Sequence, residues 1–306
     1  MNKSVLCIGA TLMDELYFCK NSIVEASSNP AEKTTSIGGV MSNIVLHLAL
    51  LDVKPSIITA LGNDADGKFI QEIFVKSEID CSQSIIVNQA TGKYVSVLSP
   101  NGDLYVAVCE DNCSSFISTD FLESKSDFIS KFDILIIDTN LTSETIQWII
   151  HFAKDNQKQL IIEPVSVSKA SKLAALDLKG VFMITPNEEE LAAIGNGISQ
   201  NEQLTALFKR GVQNIWVRKG AQGSAMYKEN QVINLEVPTI QIVDSTGAGD
   251  AALAGWVFGY TNDEDEKTCL QLGHTLALEI LQRKGAVDHS LTIDKLYKIK
   301  KTYYND

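Results

Sequence analysis

The sequence predicts an α/β protein with three layers, in which helices cover both faces of a mostly parallel central sheet. Short apolar runs alternate with longer helical patterns along most of the 306 residues, which is typical of consecutive strand–helix–strand units. The strand-like runs lack polar alternation, as strands covered on both faces do. Two stretches interrupt the pattern, and they predict a second, smaller sheet.

Each main element follows from its local pattern. The strand-like runs are residues 5–8, 56–60, 134–137, 160–162, 181–184 and 215–217. The helical patterns are residues 40–51, 67–76, 143–154, 188–194, 248–260 and 265–283. Because ligands of such sheets bind where parallel strands end, we expect functional residues at the carboxyl ends of these strands.

The irregular stretches are residues 16–36 and 85–108. In the second, strand-like residues flank Asn101-Gly102, a pair that predicts a tight hairpin turn. We expect segments at about 15–36 and 85–112 to form a small sheet that stands off the main one, within a single domain spanning residues 1–306. The small sheet is either a flap over a substrate cleft or a plain edge hairpin, and the pattern favours neither.

Charge and hydropathy narrow the classes of partner. With 26 basic and 38 acidic residues the net charge is −12, which argues against a nucleic-acid polymer. A small phosphate ligand is not excluded, because backbone amides and a metal ion can hold it. The chain has no apolar run of about 18 residues or more, and its N-terminal apolar stretch is too short for a secretory signal. We therefore expect a cytoplasmic protein that binds no membrane.

The most informative segment is residues 244–250, which read Asp-Ser-Thr-Gly-Ala-Gly-Asp before an apolar helical pattern. A helix N-terminus presents unpaired amides and a positive dipole end, and glycines let an anion approach them closely. Asp250 beside a phosphate has a role if it takes a proton from an attacking hydroxyl, as in a kinase. The alternative is an Asp that caps the helix on a Gly-rich turn, and this segment alone leaves both open.

One apparent phosphate motif fails. Residues 62–68 fit G-x-x-x-x-G-K, but Phe69 replaces the Ser or Thr that binds magnesium in a P-loop. Asp64 and Asp66 would also place negative charge beside phosphate oxygens. We predict a turn and a helix start here, which argues against a P-loop NTPase.

Two other segments supply candidate binding residues. Gly38-Gly39 precedes a helical pattern that carries Asn43, whose amide both donates and accepts hydrogen bonds. Asn187 and Glu190 follow a strand and share one helix face, and oxygen ligands of this kind suit magnesium. Each segment also has a local explanation, a Gly-Gly turn in one case and an acidic helix start in the other.

Taken in order, these segments resemble the ribokinase-like (PfkB) family of carbohydrate and nucleoside kinases, from residue 5 to about residue 290. The match is specific in residues 244–250, which fit the family signature D-[ST]-x-G-A-G-D, and collective elsewhere. The other matching positions are Asp14 after the first strand, Gly38, Gly39 and Asn43 in G-G-x-x-x-N, Asn187 and Glu190 in N-x-x-E, and Gly220 and Gly223 in G-x-x-G.

The resemblance implies a fold, a reaction and a role for each matching residue. It implies a ribokinase-like α/β/α sandwich with a small β-sheet lid, magnesium-ATP as donor and a primary sugar hydroxyl as acceptor. Asp250 would be the catalytic base, and the amides of Gly247, Ala248 and Gly249 the anion hole. The implied sugar-binding residues are Asp14, Gly38, Gly39 and Asn43. The implied nucleotide contacts are Asn187, Glu190, Arg218, Gly220, Gly223 and Thr246, of which Asn187 and Glu190 also organise magnesium, through water.

Many members of this family also bind a monovalent cation near the anion hole. The matching positions, with potassium as the candidate ion, are Asp244, Thr246, Gly285 and Ser290. One departure concerns the strand before Gly220, which ends in Arg218-Lys219 where the family commonly has Thr. This departure puts the local phosphate contact in doubt, although two cations there can still attract ATP.

The acceptor is suggested by three segments similar to those of the pseudouridine kinase branch, residues 106–112, 138–141 and 163–169. They imply transfer to the 5′-hydroxyl of pseudouridine, although Glu163 stands where Asp is usual. Ser166 and Lys169 are further substrate-binding candidates, or residues that merely start a helix. The alternatives are ribokinase or another sugar or nucleoside kinase of the family and, in a different class, a nucleotide- or sugar-binding regulator without catalysis. We also expect a homodimer in which the small sheet pairs with that of another subunit.

Overall fold

The computed structural model describes residues 3–304. The strands are β1 (Val5–Ile8), β2 (Leu12–Cys19), β3 (Ala31–Gly38), β4 (Ser56–Ile58), β5 (Ala60–Gly62), β6 (Ile85–Val87), β7 (Lys93–Leu98), β8 (Leu104–Glu110), β9 (Ile134–Asp138), β10 (Gln159–Glu163), β11 (Val181–Ile184), β12 (Asn214–Arg218), β13 (Ser224–Lys228) and β14 (Gln231–Leu235). The α-helices are α1 (Val40–Leu50), α2 (Ala65–Lys76), α3 (Thr119–Glu123), α4 (Ser126–Ile129), α5 (Ser143–Asp155), α6 (Val167–Ala170), α7 (Glu188–Gly195), α8 (Gln200–Lys209), α9 (Ala248–Thr261), α10 (Glu266–Leu281) and α11 (Ile293–Tyr304).

The main sheet runs in the order β14-β13-β12-β11-β10-β9-β1-β4. From β12 to β4 the neighbouring strands are parallel, whereas β13 and β14 add an antiparallel hairpin at one edge. The predicted mostly parallel sheet is therefore confirmed. Because β9 to β12 are parallel neighbours, the loops that follow them meet at one edge of the sheet, where a ligand site is expected.

Side chains of the main sheet pack alternately into two cores, one on each face. On β1, Val5 and Cys7 join the core that contains α1, α9 and α10, whereas Leu6 and Ile8 join the core that contains α5, α7 and α8. Both faces of the strand are buried, which explains why its sequence lacks polar alternation. No helix in the described part of the chain combines the length and apolar composition that a membrane crossing needs.

The two irregular stretches form a small sheet in the order β3-β2-β7-β8. The strands β7 and β8 are an antiparallel hairpin, as predicted, but residues 99–103 join them in place of a tight two-residue turn, and Gly102 there has a φ of 90°. One part of the prediction is wrong, because Ile85–Val87 pairs with β5 outside the small sheet. An ion pair of 3.0 Å between Lys93 of β7 and Asp66 of α2 ties the small sheet to the body.

Several other strands and helices differ from the prediction. The predicted strand 56–60 is two strands, β4 and β5, because β5 leaves the main sheet to pair with β6. The strands β13 and β14 and the helices α8 and α11 are absent from the prediction. At the sheet edge β13 and β14 are only partly buried, so their sequences carry polar residues and form no apolar run.

The segment that resembles a P-loop is a turn and helix start, as predicted. Asp64 occupies the N-cap of α2 and accepts the backbone N–H of Gly67 at 2.8 Å. Its carboxylate also accepts the backbone N–H and the hydroxyl of Thr91, at 2.8 and 2.7 Å. A carboxylate fully engaged in this way serves the fold, not a phosphate.

Candidate active site

The Gly-Ala-Gly segment forms the N-terminus of α9. Gly247 is the N-cap residue, with a φ of 74° in the left-handed region. A Cβ there would lie 2.5 Å from the Cβ of Ala286, so backbone conformation and space both require glycine. The first amides of α9 have no carbonyl partner within the helix and carry the positive end of its dipole. This arrangement is suited to an anion.

Asp250 lies in the first turn of α9, and the N-cap residue of that helix is Gly247. The capping alternative for Asp250 is therefore wrong. Its partly buried carboxylate accepts a hydrogen bond of 2.8 Å from the side-chain amide of Asn43. Burial raises the pKa of Asp250 to about 7, and the Glu163 charge adds to this, whereas Asn43 and the Arg218 guanidinium oppose it. A carboxylate with a pKa near neutrality is well matched to general base catalysis.

The predicted sugar-binding residues lie together where the small sheet joins α1. Asp14 of β2 is only 9% exposed, and burial raises its pKa to about 6. A Cβ on Gly38 would overlap the Asp14 carboxyl group. Asn43 uses its amide N–H on Asp250, while its buried amide oxygen has no hydrogen-bond partner within residues 3–304. That oxygen is a buried acceptor next to the candidate base, and a buried acceptor normally has a hydrogen-bond partner.

A cavity of about 640 Å³ opens beside the start of α9. The predicted residues among those that line it are Asn187, Glu190, Arg218, Gly220, Gly223, Gly247, Ala248, Gly249 and Asp250. Sequence reasoning missed its apolar wall, which residues 237–242 supply together with Ala277, Leu278 and Leu281 of α10. Segment 237–242 has no regular structure, so no periodic pattern marked it, and the α10 residues were assigned only to a helix.

Arg218 turns inward from the end of β12. Its Nη2 donates to Glu163 Oε1 at 2.6 Å and also to the carbonyl oxygen of Thr185. Glu163 Oε2 accepts the Thr185 hydroxyl at 2.5 Å. Nη1 lies 2.5 Å from where a Cβ on Gly249 would stand, so the guanidinium lies directly against the anion hole.

Asn187 and Glu190 form a capping box at the start of α7. The Asn187 side chain accepts the Glu190 N–H at 2.8 Å, and Glu190 Oε2 accepts the Asn187 N–H at 2.9 Å. The described hydrogen bonds leave Glu190 Oε1 available at the cavity. Within residues 3–304 no three acidic, His or Cys side chains cluster as a metal cage. The pair therefore fits magnesium that arrives with phosphate oxygens and water, as this ion commonly does.

The four candidate potassium positions divide into two groups. Asp244 joins two loops, because it accepts the backbone N–H of Thr246 at 2.9 Å and that of Gly285 at 3.1 Å. The Ser290 hydroxyl instead donates to Asp288 at 2.7 Å. Three of the four positions are thus brought together, and a potassium ion there stays a prediction.

Ser166 and Lys169 lie on the short helix that follows β10. Ser166 is at the N-cap position of α6, as its local explanation expected. The Lys169 ammonium donates to the side-chain oxygen of Asn140, which follows β9. Burial raises the pKa of Cys109 on β8, and the nearby Lys169 ammonium opposes that shift. Lys169 therefore lies near both Asn140 of the body and Cys109 of the small sheet, and a substrate role for Lys169 or Ser166 stays a prediction.

Comparison with known proteins identifies the family and the fold. Residues 2–293 match the family model described as pfkB family carbohydrate kinase. The chain is 27% identical to the pseudouridine kinase of Escherichia coli over 266 residues, which cover 83% of this chain and 84% of that protein. A carbohydrate kinase from Agrobacterium tumefaciens superposes with a TM-score of 0.87 at 23% identity, covering 98% of each chain. Arabidopsis thaliana ribokinase complexed with ribose and ATP superposes with a TM-score of 0.82 at 20% identity, covering 98% of this chain and 99% of the other. The predicted ribokinase-like fold is confirmed.

Proposed function

The chain belongs to the pfkB family of carbohydrate kinases, and we propose that it transfers the γ-phosphoryl group of ATP to the 5′-hydroxyl of a nucleoside, with pseudouridine as the preferred acceptor. The observation that carries the phosphotransfer is Asp250. Its carboxylate has a pKa raised to about 7 by burial, stands in the first turn of the anion-binding helix and is hydrogen-bonded to a residue of the acceptor side.

The reaction follows from the positions of these groups. The acceptor hydroxyl oxygen attacks the γ-phosphorus while its proton passes to the Asp250 carboxylate. A new O–P bond forms, and the bond from the γ-phosphorus to the bridging oxygen breaks, so ADP leaves with the electron pair. The amides of Gly247, Ala248 and Gly249 stabilise the charge on the transferring group. Asn43 orients Asp250 and accepts a hydrogen bond from the substrate.

Magnesium fits this site through Asn187 and Glu190, and when bound it supplies charge neutralisation at the phosphate oxygens. The apolar wall at residues 237–242 and on α10 is suited to the adenine ring. Gly220 and Gly223 allow the chain to turn close beside that wall, with φ values of 54° and 80°.

Two observations support a pyrimidine-like nucleoside as acceptor. The segments that resemble the pseudouridine kinase branch meet in space, because Lys169 donates to Asn140. Since the Asn140 oxygen is already used by Lys169, the pair presents N–H donors to the cleft. Such donors recognise carbonyl oxygens, which a uracil ring carries and ribose alone lacks. The similarity to a pseudouridine kinase points to the same acceptor.

A screen of ATP consumption tests the proposal. Pseudouridine, uridine, adenosine, ribose and fructose 6-phosphate are offered separately with magnesium-ATP, and the product is identified by mass spectrometry. We expect the highest kcat/KM with pseudouridine and a 5′-phosphorylated product. Turnover of ribose without pseudouridine would overturn the acceptor and keep the kinase. No turnover of any acceptor, with ATP still bound, would favour a regulator that has lost catalysis.

We further propose a homodimer through the small sheet. Its edge strand β8 exposes Leu104, Val106 and Val108, at 57%, 47% and 62%. An exposed apolar edge strand is usually covered by another element or another chain. Pairing of β8 with the same strand of a second copy would cover this edge while leaving the cleft beneath the sheet open.

A further inference from the structure

Arg218 lines the cavity but has no role in the reaction proposed above. It is held in place rather than extended into solvent, since its side chain is 17% exposed and its partner Glu163 only 4%. A fixed guanidinium is unlike an ordinary surface lysine or arginine, whose charge water and salt largely screen. From the sequence, Arg218 is a candidate nucleotide contact that stands where the family commonly has Thr.

The three nitrogen atoms of the Arg218 guanidinium differ in the number of hydrogen bonds that they make. Nη2 has two partners, Glu163 Oε1 and the Thr185 carbonyl oxygen. Nη1 and Nε make no hydrogen bond within residues 3–304, although a guanidinium carries five N–H donors. Arg218 lines the cavity, so these donors face open space there, which points to an anionic group as their partner. Nη1 is also the atom that lies against Gly249 of the anion hole.

Gly249 itself supports this interpretation. Its φ is not in the left-handed region, so its backbone does not require glycine. A Cβ at Gly249 would instead displace the Arg218 guanidinium, whose Nη1 would lie 2.5 Å from it. The absence of a side chain at Gly249 therefore lets the guanidinium and the helix amides face the same space.

We propose that Arg218 is a catalytic residue that donates hydrogen bonds from Nη1 to an oxygen of the transferring phosphoryl group, and that Glu163 is the residue that positions it. The inference rests on the proposed phosphotransfer. As the O–P bond to the acceptor forms and the bond to ADP breaks, negative charge moves onto the oxygens around the transferring phosphorus, and the guanidinium is already in place to stabilise it. Glu163 and Thr185 prevent Arg218 from moving toward the ground-state phosphates.

The competing explanation is structural, because Arg218 neutralises Glu163 and lies near Asp250 and Glu190. Three variants separate the two. Arg218→Met removes the guanidinium and leaves Glu163 buried without its partner, so it combines both losses. Arg218→Met with Glu163→Gln removes both charges while Gln can still accept the Thr185 hydroxyl. Glu163→Gln alone keeps the guanidinium but releases it from its anchor.

The first readout is steady-state kinetics with the acceptor that the wild type turns over. We expect both Arg218 variants to lose about 10²–10³-fold in kcat with little change in ADP affinity, and the double variant to recover thermal stability but not turnover. Glu163→Gln is expected to lie between them and the wild type. Recovery of wild-type kcat in the double variant would overturn the proposal, as would a rise in KM for ATP without a fall in kcat.

A second readout needs no acceptor. Calorimetry measures binding of magnesium-ADP with and without aluminium fluoride, which mimics a phosphoryl group in transfer. We expect the fluoride to tighten ADP binding by the wild type and to give no gain in the double variant. An equal gain in both proteins would refute the role of Arg218. If no acceptor is turned over, the kinase proposal fails, and this comparison still decides whether Arg218 contacts the anion.

Discussion

The catalytic edge of the main sheet and the small sheet are built differently. At the catalytic edge, Asp250, Arg218 and Glu163 are held by charged hydrogen bonds and short loops that end in a helix N-terminus. In the small sheet, the outer strand β8 is largely exposed on both faces. An ion pair between Lys93 and Asp66 is among the contacts that join it to the body.

The difference indicates that the two regions serve different functions, catalysis and acceptor binding. Phosphoryl transfer requires groups that are fixed before the reaction, because preorganised donors need no rearrangement as charge develops. Acceptor choice depends on a surface that differs between relatives on a shared scaffold. We therefore propose that the catalytic edge determines the reaction and that the small sheet with the loops below it determines the acceptor. The predictions below test each half, from the largest expected effect to the smallest.

Asp250→Asn should abolish most turnover while the protein folds and binds ATP. The amide cannot take the proton of the acceptor hydroxyl, so kcat should fall by about 10²–10⁴-fold. Rapid-quench measurement of ADP formation gives the rate, and calorimetry gives the ATP affinity. A near-normal rate in this variant would mean that another group is the base.

Asn43→Ala should affect both acceptor binding and catalysis, since Asn43 is expected to contact the acceptor and is hydrogen-bonded to Asp250. We expect kcat/KM for the acceptor to fall roughly 10- to 100-fold, because a hydrogen bond to a charged group is lost together with a substrate contact. KM for ATP should stay constant, and this is the internal control. An unchanged KM and kcat for the acceptor would remove Asn43 from the sugar site.

The pH profile should report the ionisation of Asp250. The base acts as a carboxylate and its pKa is raised to about 7, so kcat/KM should fall below pH 7 by about tenfold for each pH unit. Glu163 raises this pKa and Asn43 lowers it. The acid limb should therefore move to lower pH in Glu163→Gln and to higher pH in Asn43→Ala. A limb unmoved by both variants would assign the ionisation to another group.

Lys169→Met should change which acceptor is preferred without changing the rate of phosphoryl transfer itself. Loss of its donors to the nucleobase should raise KM for the nucleoside by roughly 10-fold, while any turnover of ribose stays the same. Ser166→Ala is the matched variant on the same helix and tests the second candidate. Equal effects of Lys169→Met on nucleoside and ribose would indicate a structural role.

Val108→Lys should affect assembly alone. A lysine on the exposed edge of β8 would place like charges together in a symmetric pair, so light scattering should detect a monomer at concentrations where the wild type is dimeric. We expect kcat to change by no more than about twofold, as for a surface substitution. A monomeric wild type would rule out the proposed homodimer.

Part of the molecule could be predicted from short segments. The apolar runs of β1, β9 and β11 identify buried parallel strands, because a strand that is buried on both faces has an almost continuous apolar sequence. The Asn-Gly pair predicts the hairpin between β7 and β8 because few residues adopt its backbone angles. Residues 244–250 predict an anion site because amides, glycines and helix start are consecutive along the chain.

The contacts that only the tertiary structure reveals join residues that are far apart in the sequence. Arg218 and Glu163 are 55 residues apart, and Asn43 and Asp250 are 207 apart. Local patterns carry no information on such contacts, because they depend on how strands are ordered and on which rotamers the packed core permits. The sequence by itself therefore predicted the reaction class and a candidate base. The packing decided that Asn43 reaches this base and that the guanidinium of Arg218 faces the anion hole.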